Sequence, residues 1–418
     1  MKILFIADNF TPERNAQASL VYERAAYWVK WGHSVTVITC APNFPEGKVF
    51  PGYKNKRCVE TVDGIRVVRV KSFISPNKGV LARILDYLSF MASGSFAALL
   101  EPYHDVIVAT SPQFFTAVAG WIVSTCKRMP FVFEIRDLWP DSIIAVGAMR
   151  KSFALSAIER LELFLYRRAT KIIALTPAFK DNLVTRGISG KKIEVNISGA
   201  DLSRYQPRPR DHALATRLGF QPKHFVLGYI GTLGMAHGLQ NVLHAAELLR
   251  GSDARFLIVG PGAERHGLMA EALRRSLDNV IFVDAQPKET MPSYWSICDA
   301  ALVHLKDTPT FRTVIPSKIF EAMAMGKPIL LSAPAGEASK LIESEGAGLC
   351  VPAESAVALA DAVRLLHKDD NQLAAFAERS KQAAPKYSRE RHAAEFARSL
   401  ELVCNIVPAR VATRMTQT

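Results

Sequence analysis

Short apolar runs alternate with longer amphipathic segments along almost the whole chain. The runs are rich in Val, Ile and Phe, and in most of the segments between them apolar residues recur at helical spacing. This alternation is typical of parallel βα units, which bind ligands at the carboxyl ends of their strands. In the first half it predicts seven strands, at residues 2–6, 34–39, 66–69, 106–109, 131–134, 171–175 and 192–195. Helices are expected near residues 16–31, 81–100, 113–127, 153–168 and 177–186.

The pattern lapses after residue 203 and then starts again. A stretch rich in Pro and Arg is followed by strands predicted at residues 225–231, 255–259, 280–283, 300–303, 328–331 and 348–351. Helical spacing returns near the C-terminus. We therefore predict an α/β protein with two Rossmann-like domains facing each other across a cleft. The expected parts are an N-terminal domain, a linker, a C-terminal domain, a helix that crosses back onto the first domain, and a tail (residues 1–203, 204–222, 223–385, 386–407 and 408–418).

Composition narrows the classes of function. With 418 residues, 49% hydrophobic and 22% charged, the chain is neither disordered nor fibrous. It carries 52 basic and 39 acidic side chains, a net charge of +13, which points to an anionic partner: nucleic acid, an acidic membrane surface or a phosphorylated substrate. Residues 1–203 hold 26 basic and 17 acidic side chains, so most of the excess lies in the first half.

Cysteine usage and the apolar runs bear on location. The six cysteines include no C-x-x-C pair, so we expect small buried residues in a reducing compartment and neither a disulfide framework nor a zinc site. The first apolar run is too short for a signal peptide. The longest apolar stretch, residues 87–100, is interrupted by Ser and Gly, so we expect a cytoplasmic protein that does not span the membrane.

Two glycine-containing turns follow predicted strands. Gly260-Pro261-Gly262 suggests a dinucleotide site, but Arg265 stands where the third glycine is needed, so a tight turn is the better interpretation. The segment from Tyr229 to Gly234 ends the first strand of the second domain and favours an anion site, with a simple turn as the alternative. His237 beside it is either a donor to the anion or an ordinary capping residue.

The most informative stretch is residues 314–329. Pro316, Ser317 and Lys318 begin a predicted helix and offer a site for a phosphate. Glu321, one turn further on, suits the two hydroxyls of a ribose. A surface glutamate is the alternative.

The segment Glu321-Ala-Met-Ala-x-Gly-x-Pro328 resembles the C-terminal signature of the retaining nucleotide-sugar glycosyltransferases of family 4, which have the GT-B fold. Further segments resemble that family in the expected order over about residues 2–400: Phe10-x-Pro12-Glu13, Gly32-His33-x-Val35-x-Val37, Ala41 to Pro45, Arg136 to Ser142, Gly199 to Asp201 and Tyr205 to Pro207. The element R-D-L-W-P-D-S resembles a bacterial subgroup that builds O-antigen or capsule and transfers N-acetylated amino sugars of the N-acetylfucosamine type.

Two departures stand out. The family usually carries a glutamate where this chain has Thr313, and an Arg and a Lys where it has Thr232 and His237. The positive charge for the leaving diphosphate must then come from elsewhere. Lys318 is the first candidate and Arg312 the second.

The resemblance implies a hexosyltransferase-type enzyme that uses a UDP-sugar, without a further cofactor or a metal. The diphosphate would be held at Gly231, Thr232, Gly234, His237, Pro316, Ser317 and Lys318, with Glu321 on the ribose and Gln286 near the base. Asp137 would contact the sugar or the attacking hydroxyl as a catalytic residue beside Lys318, although an ion pair with Arg136 is the alternative. The acceptor would be bound by Asn15, Gln17, Asn43 and Arg136.

The expected acceptor is a polyprenyl-diphosphate-linked glycan or another saccharide at the inner face of an anionic plasma membrane. Residues 79–100 carry apolar side chains at helical spacing. The usual interpretation is a core helix. The alternative is an exposed helix that receives the lipid.

Two other functions remain open on the residues alone. A nucleic-acid binder would also be basic, but the chain has neither an aromatic-rich recognition motif nor a long basic run. A nucleotide-sugar epimerase of GT-B fold would share the donor site and need no acceptor.

Overall fold

A computed structural model of the chain describes residues 1–13, 15–44, 46–74, 80–111, 113–138 and 153–415. The chain forms two compact units. The first comprises Met1–Ile197 together with Glu390–Thr418, and the second comprises Ser198–Arg389.

The first unit contains an eight-stranded sheet with the strand order β3-β4-β2-β1-β5-β6-β7-β8. All neighbouring strands are parallel except β3 and β4. The elements of this unit are β1 (Lys2–Ile6), α1 (Ala16–Lys30), β2 (Ser34–Cys40), β3 (Cys58–Val62), β4 (Ile65–Val70), α2 (Val80–Leu100), β5 (Val106–Thr110), α3 (Phe114–Lys127), β6 (Phe131–Ile135), α4 (Phe153–Arg168), β7 (Lys171–Ala174), α5 (Pro177–Thr185) and β8 (Ile193–Val195).

Strand β3 was not among the seven strands predicted for this half. It forms a hairpin with β4 in which Val62 pairs with Ile65 across Asp63 and Gly64, both at positive φ. Asp-Gly is a favoured pair for such two-residue turns. Only one face of this edge strand is covered, so its residues do not form a continuous apolar run.

The second unit contains a six-stranded parallel sheet with the strand order β11-β10-β9-β12-β13-β14. Its elements are α6 (His212–Arg217), β9 (Phe225–Ile230), α7 (Gln240–Leu248), β10 (Ala254–Val259), α8 (Arg265–Arg274), β11 (Val280–Val283), α9 (Met291–Ser296), β12 (Ala300–His304), α10 (Lys318–Ala324), β13 (Ile329–Ser332), α11 (Glu337–Glu345), β14 (Gly348–Val351), α12 (Ala356–Lys368) and α13 (Asp370–Ala383).

In each sheet there is one strand at which the order of successive strands reverses. Strand β1 lies between β2 and β5, and strand β9 lies between β10 and β12. In parallel sheets the carboxyl end of the strand at such a place opens a crevice in which ligands bind. The fold therefore directs attention to the residues that follow β1 and β9.

The last helix, α14 (Arg389–Met415), belongs to the first unit from Glu390 onward. Phe396 is fully buried, and its ring lies 5.5 Å from that of Trp28, whose indole N–H donates to the Ala393 carbonyl. The guanidinium of Arg24 lies 4.4 Å from the Phe396 ring centre and pairs with Glu134 at 2.7 Å. The helix continues to Met415, so the expectation of a patternless tail from residue 408 is wrong up to that point.

Helix α2 is only partly a core helix. Phe90, Ala97 and Ala98 are buried, whereas Leu85, Leu88, Phe96 and Leu100 share one exposed face, with Phe96 65% exposed. The preferred interpretation of an entirely buried stripe is therefore wrong for this face. No helix in the described part of the chain is long and apolar enough to cross a membrane.

All six cysteines are free, and Cys40 and Cys298 are buried as expected. Cys126 is exposed, contrary to the expectation.

Candidate functional site

The carboxyl end of β9 is built by two closely packed turns. Gly231 follows the strand at φ +149°, and its N–H donates to the Val259 carbonyl. A Cβ on Gly260 would lie 2.1 Å from the Gly231 carbonyl oxygen, and one on Gly262 2.1 Å from that of Leu233. Gly260 and Gly262 are thus needed to let the turns touch, which agrees with the interpretation of a tight turn.

Lys318 lies against this turn. Its side chain is buried, with the residue only 7% exposed, and its Nζ has no hydrogen-bond partner among the described residues. The amino group sits 3.5 Å from the centre of the Tyr229 ring and 3.1 Å from the position that a Cβ on Gly231 would take. Burial lowers the pKa of Lys318 to about 7, with Glu321 acting in the opposite direction. A buried amine without a partner is unfavourable unless a ligand completes it.

Two histidines, His237 and His304, lie beside Lys318, and burial keeps both of them neutral. His304 Nδ1 donates to the His237 carbonyl at 2.6 Å, and His237 Nδ1 lies 3.3 Å from the His304 carbonyl. Asn241 lies 2.9 Å from His304 Nε2. Burial lowers the pKa of His237 to about 3 and that of His304 to about 4. His237 therefore brings no positive charge to the turn at neutral pH, and Lys318 is the cation there.

Glu321 lies one turn beyond Lys318 on α10. Burial raises the pKa of its carboxyl, against the influence of Lys288, Trp295, Lys318 and Arg204. The Tyr205 hydroxyl and the Trp295 indole are close to this carboxylate, and the indole N–H has no partner in hydrogen-bonding geometry within the described chain. The Glu321 carboxylate is thus half-buried, and hydrogen bonds from the hydroxyl groups of a ligand would stabilise it.

The other predicted donor-site residues surround these groups. The backbone N–H groups of Gly231 and Leu233 already donate to the carbonyls of Val259 and Pro261, at 2.9 and 2.7 Å, which removes them as phosphate ligands. Thr232 and Gly234 come next along the turn. Ser317 is exposed at the start of α10, Pro316 precedes it, and half-buried Gln286 follows β11. Thr313 donates its hydroxyl to the Thr310 carbonyl and does not replace a carboxylate.

In the first unit, Asp137 follows β6 and is half-buried. Burial raises the pKa of its carboxyl to about 6, while Arg136 acts to lower it. No ion pair between Arg136 and Asp137 occurs in the described ranges, so the alternative of a simple ion pair gains no support. The Arg136 N–H donates to the Ser111 hydroxyl at 2.8 Å. Residues 139–142 of the same sequence element lie outside the described residues.

A separate cavity of about 360 Å³ opens at the carboxyl end of β1. Asn15, Gln17 and Asn43 line it, whereas Arg136 does not. The other lining residues include Asp8, Asn9, Phe44, Arg83, Asp86, Tyr87 and Gln113. The structure thus brings together three of the four residues expected to bind the acceptor.

Several residues at the turn after β9 and in the cavity at the end of β1 could not be predicted from the sequence. Tyr229 reads as part of an apolar strand, and Asp86 and Gln113 come from a helix and a helix start distant from β1 in sequence. His304 is the exception, because a polar residue that ends a buried strand is a signal for a ligand site. Among the described residues, no three His, Cys, Asp or Glu side chains are placed to hold a metal ion.

Two glycosyltransferase domain families match most of this chain. Residues 213–383 match the family described as Glycosyl transferases group 1, and residues 16–199 match the Glycosyl transferase 4-like domain. The putative colanic acid biosynthesis glycosyl transferase WcaI of Escherichia coli K12 is 26% identical over 395 residues, which cover 91% of this chain and 96% of the relative.

Solved structures share the fold. Sucrose-phosphate synthase from Thermosynechococcus elongatus superposes with a TM-score of 0.77 at 18% identity, covering 96% of this chain and 98% of the other. Anabaena Alr3699/HepE in complex with UDP-glucose gives 0.72 at 20% identity, covering 96% and 99%. The expected GT-B fold is confirmed, and the chain belongs to the family 4 glycosyltransferases.

Proposed function

We propose that this enzyme transfers a sugar from a UDP-sugar to a lipid-linked or other saccharide acceptor, with retention of the anomeric configuration. The observation that carries the proposal is the buried Lys318 amine, which has no partner within the described chain and lies against the Gly231 turn. A diphosphate beside it would supply the missing counter-charge.

The donor is assigned to the second unit. Lys318 would neutralise the charge that develops on the leaving diphosphate, which is the main electrostatic task of the reaction. Glu321 would accept hydrogen bonds from the ribose hydroxyls, and Gln286 would lie near the base. UDP is favoured as the nucleotide because HepE, which shares the fold, is bound to UDP-glucose.

The reaction needs no paired carboxylates. The bond between the anomeric carbon and the diphosphate oxygen breaks, and the acceptor oxygen bonds to that carbon on the same face. The acceptor's hydroxyl proton passes to the departing diphosphate. Asp137, with a pKa of about 6, would orient the sugar or the attacking hydroxyl. No metal is assigned a step.

A role in surface polysaccharide synthesis is favoured by two observations. WcaI and the putative teichuronic acid biosynthesis glycosyltransferase TuaH of Bacillus subtilis, 28% identical over 204 residues, are both named for such polymers. The R-D-L-W-P-D-S element favours O-antigen or capsule and an N-acetylated amino sugar as the transferred group.

The acceptor is proposed to be carried on a polyprenyl diphosphate, which places the enzyme at the cytoplasmic face of an anionic membrane. The exposed face of α2 would contact the lipid, and the net charge of +9 on residues 1–203 would favour acidic lipids. Vesicle pelleting at low salt tests this: stronger recovery with acidic vesicles is expected. Equal recovery with neutral and acidic vesicles contradicts the electrostatic part of the proposal.

The experiment for the function as a whole starts from a panel of UDP-sugars. A bound donor raises the unfolding temperature according to its affinity, so thermal shifts identify the donor. With that donor, UDP release is then measured with and without acceptor glycans from a membrane extract. Release that depends on the acceptor supports transfer, whereas conversion of the sugar without an acceptor identifies an epimerase.

A further inference from the structure

Two carboxyl groups, those of Asp8 and Asp86, line the cavity at the end of β1. Burial is the main cause that raises the pKa of both carboxyl groups, and Asp8 raises the pKa of Asp86 further, to about 6. Among the described lining residues, Arg83 carries a guanidinium; its side chain is exposed, and its charge opposes this shift in the pKa of Asp86.

Three amides in the lining each donate a hydrogen bond to the protein itself. Asn15 Nδ2 donates to Asn9 Oδ1 at 2.7 Å, and Gln17 Nε2 donates to Asp8 Oδ1 at 2.9 Å. Asn43 Nδ2 donates to the Ala41 carbonyl at 2.9 Å. At least one N–H of each of these three amides is therefore directed at the protein and not at the cavity.

Gln113 supplies a second and independent sign of a ligand. The residue is 3% exposed, lines the cavity, and its Oε1 has no hydrogen-bond partner in the described part of the chain. A buried amide oxygen left unpaired is unfavourable by itself and calls for a donor from a ligand. Phe44 and Tyr87 add aromatic surface to the same cavity.

A cavity of about 360 Å³ lies within the usual range of small-molecule sites, about 300–1,000 Å³. The two carboxyl groups and the unpaired amide oxygen of Gln113 favour a ligand that donates hydrogen bonds and carries no negative charge. We infer that this cavity binds the accepting sugar of the acceptor as an uncharged, hydroxyl-rich ring whose hydroxyls donate to Asp86, Asp8 and Gln113, and that it rejects sugars bearing a carboxylate or phosphate. The inference rests on the proposed function, because it names the class of acceptor.

The test compares matched alkyl glycosides that differ only at C6, namely glucosides and galactosides against their uronic acids and 6-phosphates. Binding to the full-length protein is measured by calorimetry at pH 8, where acidic sugars and Asp86 are ionised. Neutral glycosides are expected to bind at least tenfold more tightly than their acidic counterparts. Equal affinity, preference for the acidic form, or no binding of any neutral glycoside overturns the inference.

Two variants separate binding from folding. Asp86→Asn removes one negative charge, so the ratio of the affinities for neutral glycosides and uronic acids is expected to fall to less than threefold. Gln113→Leu is expected to weaken the neutral glycoside roughly 3- to 10-fold, the worth of one hydrogen bond, without lowering the unfolding temperature, because the replaced oxygen has no partner. Asp181→Asn, an exposed position on α5, is the matched control and should change neither quantity.

The proposed function is judged separately by thermal stabilisation with UDP, whose assigned residues all lie in the second unit. Stabilisation by UDP together with equal binding of neutral and acidic glycosides overturns the inference and leaves the donor assignment standing. Discrimination between glycosides that persists unchanged in Asp86→Asn and Gln113→Leu also overturns it.

Discussion

Lys318 gives the sharpest prediction, because its burial is unfavourable for folding and useful for binding. Its pKa falls from 10.5 to about 7. At about 1.4 kcal/mol for each unit of pKa, keeping the ammonium charged in the folded protein costs about 5 kcal/mol. A bound diphosphate restores a favourable setting for the charge, so donor binding is expected to take up a proton at pH values above 7.

The pH dependence follows from the sign of this shift. Below pH 7 the free protein already holds the proton, and the affinity for UDP should not depend on Lys318 titration. Above pH 7 the proton must be acquired on binding, so the dissociation constant should rise roughly five- to tenfold between pH 7.5 and 8.5. UDP itself is fully ionised in that window, since phosphate titrates at about pH 6.

The neighbouring histidines do not confuse the measurement. His237 and His304, with pKa values of about 3 and 4, are neutral throughout the window, and ordinary imidazole titrates at about 6.5. Glu321 is the remaining titratable neighbour, and Glu321→Gln removes it as a source of protons.

The assay is calorimetry with UDP in two buffers of different ionisation enthalpy, on the wild type and on Lys318→Met. The wild type should take up close to one proton at pH 8.5, and the variant should show weaker binding with no pH slope. The variant should also unfold at a higher temperature at pH 7, because an uncompensated buried amine is gone. Unchanged UDP affinity in Lys318→Met, or a pH slope that persists in this variant, contradicts the assignment of Lys318 to the diphosphate.

Three other changes test separate parts of the molecule. Glu321→Ala should weaken UDP binding about 10- to 100-fold while leaving the fold intact, the range for hydrogen bonds to a charged group; unchanged donor affinity in a titration rules out the ribose contact. Asp137→Asn should lower turnover with little change in UDP affinity, and near-normal turnover eliminates its catalytic role. Phe396→Ala should destabilise the first unit by about 3–5 kcal/mol in urea unfolding, because the buried ring packs on Trp28 and Arg24. Leu402→Ala on the exposed face of the same helix is the control for Phe396→Ala and should cost little.

The strands could be predicted from the sequence because most are fully buried apolar runs between helices. The predicted strands of the second sheet lie within a residue or so of the observed ones. Lys318 and Glu321 could be identified because they follow a proline at the start of a helix. Strand β3 was not predicted because one of its faces is exposed and its turn, Asp63-Gly64, is only two residues long.

The cavity in the first unit could be predicted only in part. Asn15, Gln17 and Asn43 follow β1 and β2 closely in sequence, so a motif can point to them. Asp86 and Gln113 reach the same cavity because β5 lies beside β1 and helix α2 packs on β2 and β4, and this depends on the order of strands in the sheet. Spacing along the chain does not determine that order. The hydrogen bonds of Asn15, Gln17 and Asn43 to the protein itself are likewise visible only in three dimensions.

The proposed reaction is the transfer of a sugar from a UDP-sugar with retention of the anomeric configuration. The most direct measurement is NMR of the product formed from the stabilising UDP-sugar and a membrane-derived acceptor, which reports both the new linkage and the anomeric configuration. UDP release is expected to require the acceptor, and the product is expected to keep the donor's anomeric configuration. A product of inverted configuration, or an epimerised sugar formed without acceptor, would contradict the proposed reaction.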